Sequence, residues 1–237
     1  MSLKNKYRVR SIPNHFAKEF LIYKHYAKRL PIMQFVFGLI DDNNDLIGVC
    51  VFSPSPSRFW NNGGKLFNGK HQIDVFELSR LVLLEHDCKN LTSFFVGSCL
   101  KLIPKPNVIV SYADINQNHC GYIYQATNFI YVGEAEPKNK SFDFYIGDKK
   151  YHGRNMNIEF TRKLLGFKYD ETISWKQNFI NNGGKIVKQL PKHRYIFINS
   201  KNKKKLIDDM IYEPMPYPKT KNKNYKTGDI NGTRFLF

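Results

Sequence analysis

Cysteine is scarce in this chain and is not spaced for metal or disulfide chemistry. The 237 residues hold four cysteines, Cys50, Cys88, Cys99 and Cys120, with no Cys-x-x-Cys pair among them. That argues against a zinc ribbon and against a disulfide framework. Cys50 and Cys99 sit in apolar runs and read as core residues. No apolar run approaches the roughly 18 residues needed to span a bilayer. No basic-then-apolar leader opens the chain, so a soluble protein of the cytoplasm is expected. Acidic residues are also in deficit, 20 against 37 Lys and Arg, which leaves a formal net charge of +17. Such an excess suits a polyanionic partner, nucleic acid first and an anionic membrane surface second. The competing reading is a Lys- and Asn-rich composition set by an AT-biased genome. What is present favours folding: hydrophobic residues make up 42% and aromatics 15%. That is enough to build one large domain, or a domain with an appendage.

The pattern along the chain alternates strands and helices. Residues 7–12 read as a first strand. Pro13 and Asn14 open a helix with apolar residues Phe16, Phe20, Ile22, Tyr23 and Tyr26 near helical spacing, ending before Pro31. Residues 35–40 and 46–52 flank a polar turn at 41–45 and predict a hairpin. Loops follow at 53–57 and 61–64. Residues 75–84 form a long strand carrying Glu77 and Arg80. A helix capped in the stretch Asn90–Ser93 runs to about Ile103, where Pro104 stops it. Residues 108–112 are a buried strand, 121–127 a helix and 129–132 a strand.

The last third is less regular. Helical signals alternate over 158–179, a turn falls at 181–184, and strands at 184–189 and 193–199 flank Leu190 and Pro191. Between Lys185 and Lys226 there are 12 Lys and Arg against 3 Asp and Glu, a surplus of nine. The basic face therefore lies mostly in the C-terminal part. The tail from Pro214, rich in Pro, Lys and Asn, reads as a surface wrap or a partly disordered segment.

One block carries chemistry. Ser111-Tyr112-Ala113-Asp114 ends a buried strand in a carboxylate. His119-Cys120-Gly121 follows, then Ile123-Tyr124-Gln125-Ala126-Thr127-Asn128-Phe129 and Tyr131-Val132-Gly133. Ligands gather at the carboxyl ends of strands in open α/β sheets. A carboxylate at 114 can therefore bind a metal, orient a base, or simply cap the next helix. His119 touches substrate or caps the same helix. Lys192, His193 and Arg194, with Lys203, Lys204 and Lys205, are candidates for phosphate contacts, against the plain alternative of a solvated face. Arg58, in the loop that continues to Phe59 and Trp60, offers an aromatic and basic wedge for nucleic acid, or a cover for the core.

The element order β-α-β-β-β-α-β-α-β matches the Gcn5-related N-acetyltransferase fold. The expected fold class is therefore α/β, a mixed sheet flanked by helices with a basic C-terminal extension. The expected division is a core over 1–155 and an extension over 156–237. The block from Ser111 to Gly133 also resembles the Mom family of phage DNA adenine-modification proteins. Supporting matches occur in the family's order: His25-Tyr26-Ala27-Lys28-Arg29-Leu30-Pro31, Glu77-Leu78-Ser79-Arg80, Asn90-Leu91-Thr92-Ser93, Pro191-Lys192-His193-Arg194-Tyr195 and Pro216-Tyr217-Pro218-Lys219.

The resemblance implies conversion of adenine in double-stranded DNA to N6-(carbamoylmethyl)adenine in a phage-infected or lysogenic bacterial cell, as protection from restriction. It implies acetyl-coenzyme A or a related two-carbon donor, and a bound iron. It assigns catalysis to Asp114, Tyr124 and His119, with Tyr124 protonating a departing thiolate as in acetyltransferases. The iron set would be His25, Tyr26, Asp114 and Tyr124, donor types that suit iron. His25 and Tyr26, adjacent on a helix, would point about 100° apart, so a helix break near Ala27 or a shared loop is needed to aim both inward. Arg80, Ser93 and Ser98 are the candidates for cofactor binding, near a helix N-terminus where a pyrophosphate would sit. The glycine-rich loop usual there in acetyltransferases is absent, and Asn128 stands where their signature has glycine. A conventional N-acetyltransferase and an inactive nucleic-acid-binding protein on the same scaffold are the rival readings. Oligomeric state is open, a homodimer included.

Overall fold

A computed structural model describes residues 2–25, 29–55, 64–115, 119–135, 142–153 and 155–219. Arg58, Tyr26 and the tail beyond Lys219 lie outside the described residues. The chain divides into two compact units. One runs to Asp114, resumes through Glu134 and is completed from His193 onward; the other is built mainly from Ala135–Lys192. Among the described residues no helix is long and apolar enough to cross a membrane.

The first unit opens with a short helix α1 (Leu3–Lys6) and strand β1 (Arg8–Ser11), followed by helix α2 (Asn14–Lys24). The expected hairpin is present: β2 (Phe35–Ile40) pairs antiparallel with β3 (Leu46–Pro54). Its turn is made by Asp41, whose Oδ1 accepts from the amides of Asn43 at 3.0 Å and Asp45 at 2.8 Å. Next come β4 (Asp74–Leu83), helix α3 (Leu91–Leu102), β5 (Asn107–Asp114), helix α4 (Tyr122–Ala126) and β6 (Ile130–Ala135). The expected element order is therefore observed, with α1 added in front. Strand β10 (Lys192–Asn199) completes a seven-stranded sheet ordered β1-β2-β3-β4-β5-β10-β6. The last strand thus inserts between β5 and β6, inside the sheet.

Each face of this sheet is covered. Helix α3 lays Leu91, Phe95, Val96, Cys99 and Leu100 on one face, against Phe37, Phe52, Leu78, Ile109, Phe129 and Tyr195. The opposite face holds two separate apolar clusters. One contains Ala17, Phe20 and Leu21 of α2 with Val49, Val51 and Val82. The other gathers Val75, Val108, Val110, Ile196 and Ile198 beneath Leu206 of α7 (Lys203–Asp208) and Met210. Burying a Phe such as Phe20 contributes about 2–3 kcal/mol, so this pattern of apolar strand positions sets which side each helix takes.

In the second unit, strands β7 (Phe142–Ile146), β8 (Lys149–His152) and β9 (Gly184–Lys188) form a three-stranded antiparallel sheet ordered β8-β7-β9. It packs with α5 (Ile158–Leu165) and α6 (Trp175–Asn181) around Phe144, Met156 and Phe179. The expected boundary at residue 155 falls inside this unit. The two strands expected on either side of Leu190 and Pro191 exist, but they join different sheets.

Candidate active site

Strands β4 and β5 run parallel, paired from Asp74 with Asn107 to Glu77 with Val110. The ladder stops there although β4 continues to Leu83 and β5 to Asp114. The register between β3 and β4 shifts between Val51 and Phe52, and such a bulge bends a strand. One side-chain bond spans the start of the parting: the Ser111 hydroxyl donates to the Leu78 carbonyl at 2.9 Å. This opening at the carboxyl end of parallel strands is where an α/β sheet offers room for a ligand.

Strand alternation then explains which side chains reach it. Along β4, Val75 belongs to the cluster under α7 and Val82 to the cluster under α2. Glu77 and Arg80 lie between them on the same face. Along β5, Val108 and Val110 are under α7, then come Tyr112 and Asp114. Along β10, Arg194 follows Ile196 and Ile198. The two apolar clusters are therefore separated by a polar seam, and the seam lies beside the parted strands.

Two histidines complete it. Helix α2 ends at Lys24, earlier than expected, and His25 is extended at φ −87° and ψ 134°, its amide bonded to the Leu21 carbonyl at 3.2 Å. Leaving the helix removes the 100° constraint on this side chain. His25 is buried, and its pKa is pushed down to about 4, by burial first and then by the positive charges of Arg80 and His119. His119 is half-buried; burial lowers its pKa and the Asp114 carboxylate partly offsets this. The His119 amide donates to the Asp114 carbonyl at 3.1 Å. Thus His25, Arg80, Asp114 and His119, far apart in sequence, come within electrostatic reach, and His25 is a neutral imidazole near pH 7.

Tyr112, Glu77 and Arg194 extend the seam. Burial raises the Tyr112 pKa; Arg194 opposes this by charge and by a hydrogen bond, while Glu77 adds to it. The Arg194 guanidinium lies 4.3 Å over the Tyr212 ring. Arg194, one of the expected phosphate contacts, thus lies on β10 beside the parted strands.

Tyr124 comes from the other face. Its ring lies 5.4 Å from Phe129 and 5.3 Å from Tyr195, in the cluster that includes Ala113. Asp114 alternates to the face opposite Ala113. The carboxylate and the phenol therefore lie on opposite faces of the sheet. Beneath α4, the Tyr195 hydroxyl donates to the Cys120 carbonyl and accepts from Gln125 Nε2 at 3.1 Å. Burial drives its pKa far up. Gly121 sits at φ +77°, where a Cβ would fall 2.3 Å from the Tyr195 ring. Sequence reading missed Tyr195 and Tyr112 as site residues, although both fall within stretches it singled out.

The three expected cofactor residues are not gathered. Ser93 donates to the Asn90 carbonyl at 2.9 Å, and Ser98 is half-buried on α3. Both belong to the helix on the face opposite Arg80. The expected Asn90 cap is also not made; this residue is left-handed at φ 64° with no side-chain bond to the helix.

Of the expected DNA contacts, Lys204 and Lys205 are exposed on α7, while Lys203 and Lys192 are half-buried. His193 is buried, its Nδ1 3.0 Å from the Tyr131 hydroxyl and 3.7 Å from Glu134. That bond ties β10 to β6 and keeps the ring from the surface. As for the iron set, His25 has the neutral state a ligand needs and Asp114 lies near it through His119. Tyr26 is outside the described residues, and among those described no three His, Cys, Asp or Glu side chains stand together as a metal site.

Comparison with known proteins adds the following. The model of the Mom protein family matches residues 6–219. The methylcarbamoylase Mom of Escherichia phage Mu is 24% identical over 216 residues, covering 90% of this chain and 83% of the relative. Among solved structures, the ribosomal-protein-S5-alanine acetyltransferase from Vibrio fischeri aligns at a TM-score of 0.44 and 14% identity, over 83% of this chain and 94% of that one. Arabidopsis thaliana NAA60 in complex with acetyl-CoA aligns at 0.46 and 10% identity, over 81% and 99%.

Proposed function

This chain belongs to the Mom protein family, and on that footing we propose that it is a DNA-modifying transferase converting adenine to N6-(carbamoylmethyl)adenine. The relative's name, methylcarbamoylase, supports the group transferred. The observation that carries the reading is the mutual electrostatic influence of His25, Arg80, Asp114 and His119, residues that flank the point where β4 leaves β5.

The chemistry sets what these groups do. Adenine N6 is paired inside a duplex, so the base is extruded before it reacts. The new bond joins N6 to a methylene carbon, and N6 gives up one proton. Asp114, backed by His119, accepts the hydrogen bond from the exocyclic amine and receives that proton. Neutral His25 is a second acceptor on the same side. Tyr124, entering from the opposite face, donates a proton to the departing group, a role a phenol fills without prior ionisation. Arg80 and Arg194 hold anionic parts of the nucleotide or of the donor. The donor is a coenzyme A thioester or a related activated two-carbon unit. Simple acyl transfer would join N6 to a carbonyl carbon, so the donor is one that carries its leaving group on the methylene: N6 displaces that group, Asp114 takes the N6 proton and Tyr124 protonates the group as it departs.

Digestion of DNA from cells expressing the chain, followed by mass measurement of the nucleosides, tests this. A deoxyadenosine carrying a carbamoylmethyl group is expected. Unmodified DNA with coenzyme A release on a protein or small amine would replace the reading with a conventional N-acetyltransferase. DNA binding with neither would make the chain a binding protein.

A further inference from the structure

Among the large apolar side chains described, Phe167 stands out at 96% exposed; Tyr23 follows at 77%. Leaving a Phe in water forgoes about 2–3 kcal/mol of burial, and a loose loop could fold such a ring back. This loop is not loose. Helix α5 ends at Gly166, whose φ of +56° turns the chain outward. The Tyr169 amide donates back to the Gly166 carbonyl at 3.1 Å, which leaves Phe167 and Lys168 at the tip of a closed turn.

The base of the turn is tied on both sides. Arg162 donates from Nε and Nη2 to both oxygens of Glu171, at 2.7 Å each, and lies 5.3 Å over the Tyr169 ring. Asp170 accepts from the Thr172 amide and hydroxyl at 2.8 and 2.6 Å. The buried Asn178 side chain accepts from the Asp170 amide and donates to its carbonyl, both at 2.7 Å. The two neighbouring acids are thus engaged within the loop. Lys163 and Lys168, four residues before and one after Phe167, are both exposed.

A rigidly displayed aromatic ring flanked by cations matches one partner chemistry well. Bases present flat faces to the ring, and phosphates on either side meet the ammonium groups. Extruding a base also leaves a gap in the stack that an apolar wedge can fill. We propose that Phe167 is a nucleic-acid wedge, stacking on or between bases of the DNA while Lys163 and Lys168 pair with adjacent phosphates. This rests on the reading that the chain acts on DNA and adds the surface by which the second unit would engage it.

The test uses the full chain and a labelled duplex oligonucleotide, with binding measured by anisotropy at several salt concentrations. Phe167→Ala should weaken binding about tenfold, as loss of one stacked base does, with the salt slope unchanged. Phe167→Trp should restore affinity. Lys168→Ala should lower the slope by about one. Because Phe167 is almost wholly exposed, thermal unfolding of Phe167→Ala should match the wild type, so lost binding cannot be assigned to misfolding. Wild-type affinity in Phe167→Ala overturns the wedge and leaves the DNA reading standing. A wild-type dimer that Phe167→Ala dissociates, with DNA affinity intact, overturns it in favour of self-association. A wild type that neither binds nor modifies DNA overturns the functional reading and the wedge together.

Discussion

The hydroxyl of Tyr195 donates to the backbone carbonyl of Cys120, so a central strand of the sheet holds the loop that carries His119. The same ring lies under Gly121 and 5.3 Å from Tyr124. Tyr195 is a positioning residue for both the histidine and the phenol. Tyr195→Phe keeps the ring but strips its hydroxyl bonds to Cys120 and Gln125, at a cost of about 1–2 kcal/mol. Gly121→Ala should cost more than about 2 kcal/mol, because a left-handed backbone strain and an overlap with the ring add together. Thermal unfolding reads the first effect. Adenine modification should fall in both variants, while DNA affinity stays near wild type.

Asp114 and Tyr124 lie on opposite faces of the sheet, which makes their variants separable. Asp114→Ala removes the acceptor for the N6 proton, and Tyr124→Phe removes the acid without emptying its place among Phe129 and Tyr195. Each should abolish modification, a loss of at least roughly a hundredfold for a general acid or base. Duplex affinity, dominated by phosphate contacts, should change little. An equal fall in binding for both would mean that they hold the fold or the DNA and do not act in the chemistry.

The buried histidine gives the protein a pH dependence of known sign. His25 titrates near 4 in the folded chain and near 6.5 when unfolded. Between those values the unfolded chain binds a proton that the folded chain refuses. Stability is therefore complete above about 6.5 and declines as pH falls toward 4, by at most about 3 kcal/mol. His119 and His193, also lowered by burial, act in the same direction, opposed in part by Asp114 and Glu134. Denaturant unfolding across this range should show the decline in the metal-free protein, and His25→Gln should flatten it.

Local chemistry was the legible part of the sequence. The Asp41 turn, the apolar strands and the block from Ser111 to Gly133 each announced themselves within a few residues. The polar seam did not, because it is assembled by alternation on three strands. Arg80 and Arg194 stood out in the sequence for separate reasons, and nothing local shows that they share a face with Glu77 until β4, β5 and β10 lie side by side. The second unit was hidden for a related reason. The strands on either side of Leu190 and Pro191 were legible but their partners were not: β9 pairs with β7 and β10 enters the main sheet. Short strands β7 and β8 mix Phe, Tyr, Asp and Lys without clean alternation, so their pairing is set by partners and not by pattern.

Asn178 offers a way to test the second unit on its own. Its side chain is 1% exposed and satisfies both backbone groups of Asp170. Asn178→Ala removes the side-chain partner of that amide and carbonyl, at a cost of about 0.5–1.5 kcal/mol for each bond. Asn178→Asp keeps the acceptor for the Asp170 amide but sets a buried carboxylate oxygen against the carbonyls of Asp170, Ile173 and Ser174, so its effect should be larger. Hydrogen exchange should show residues 166–174 losing protection in the order wild type, Ala variant, Asp variant. The seven-stranded sheet should keep its protection throughout, because Asn178 makes its bonds within the second unit. Equal loss across both units would show that they unfold as one.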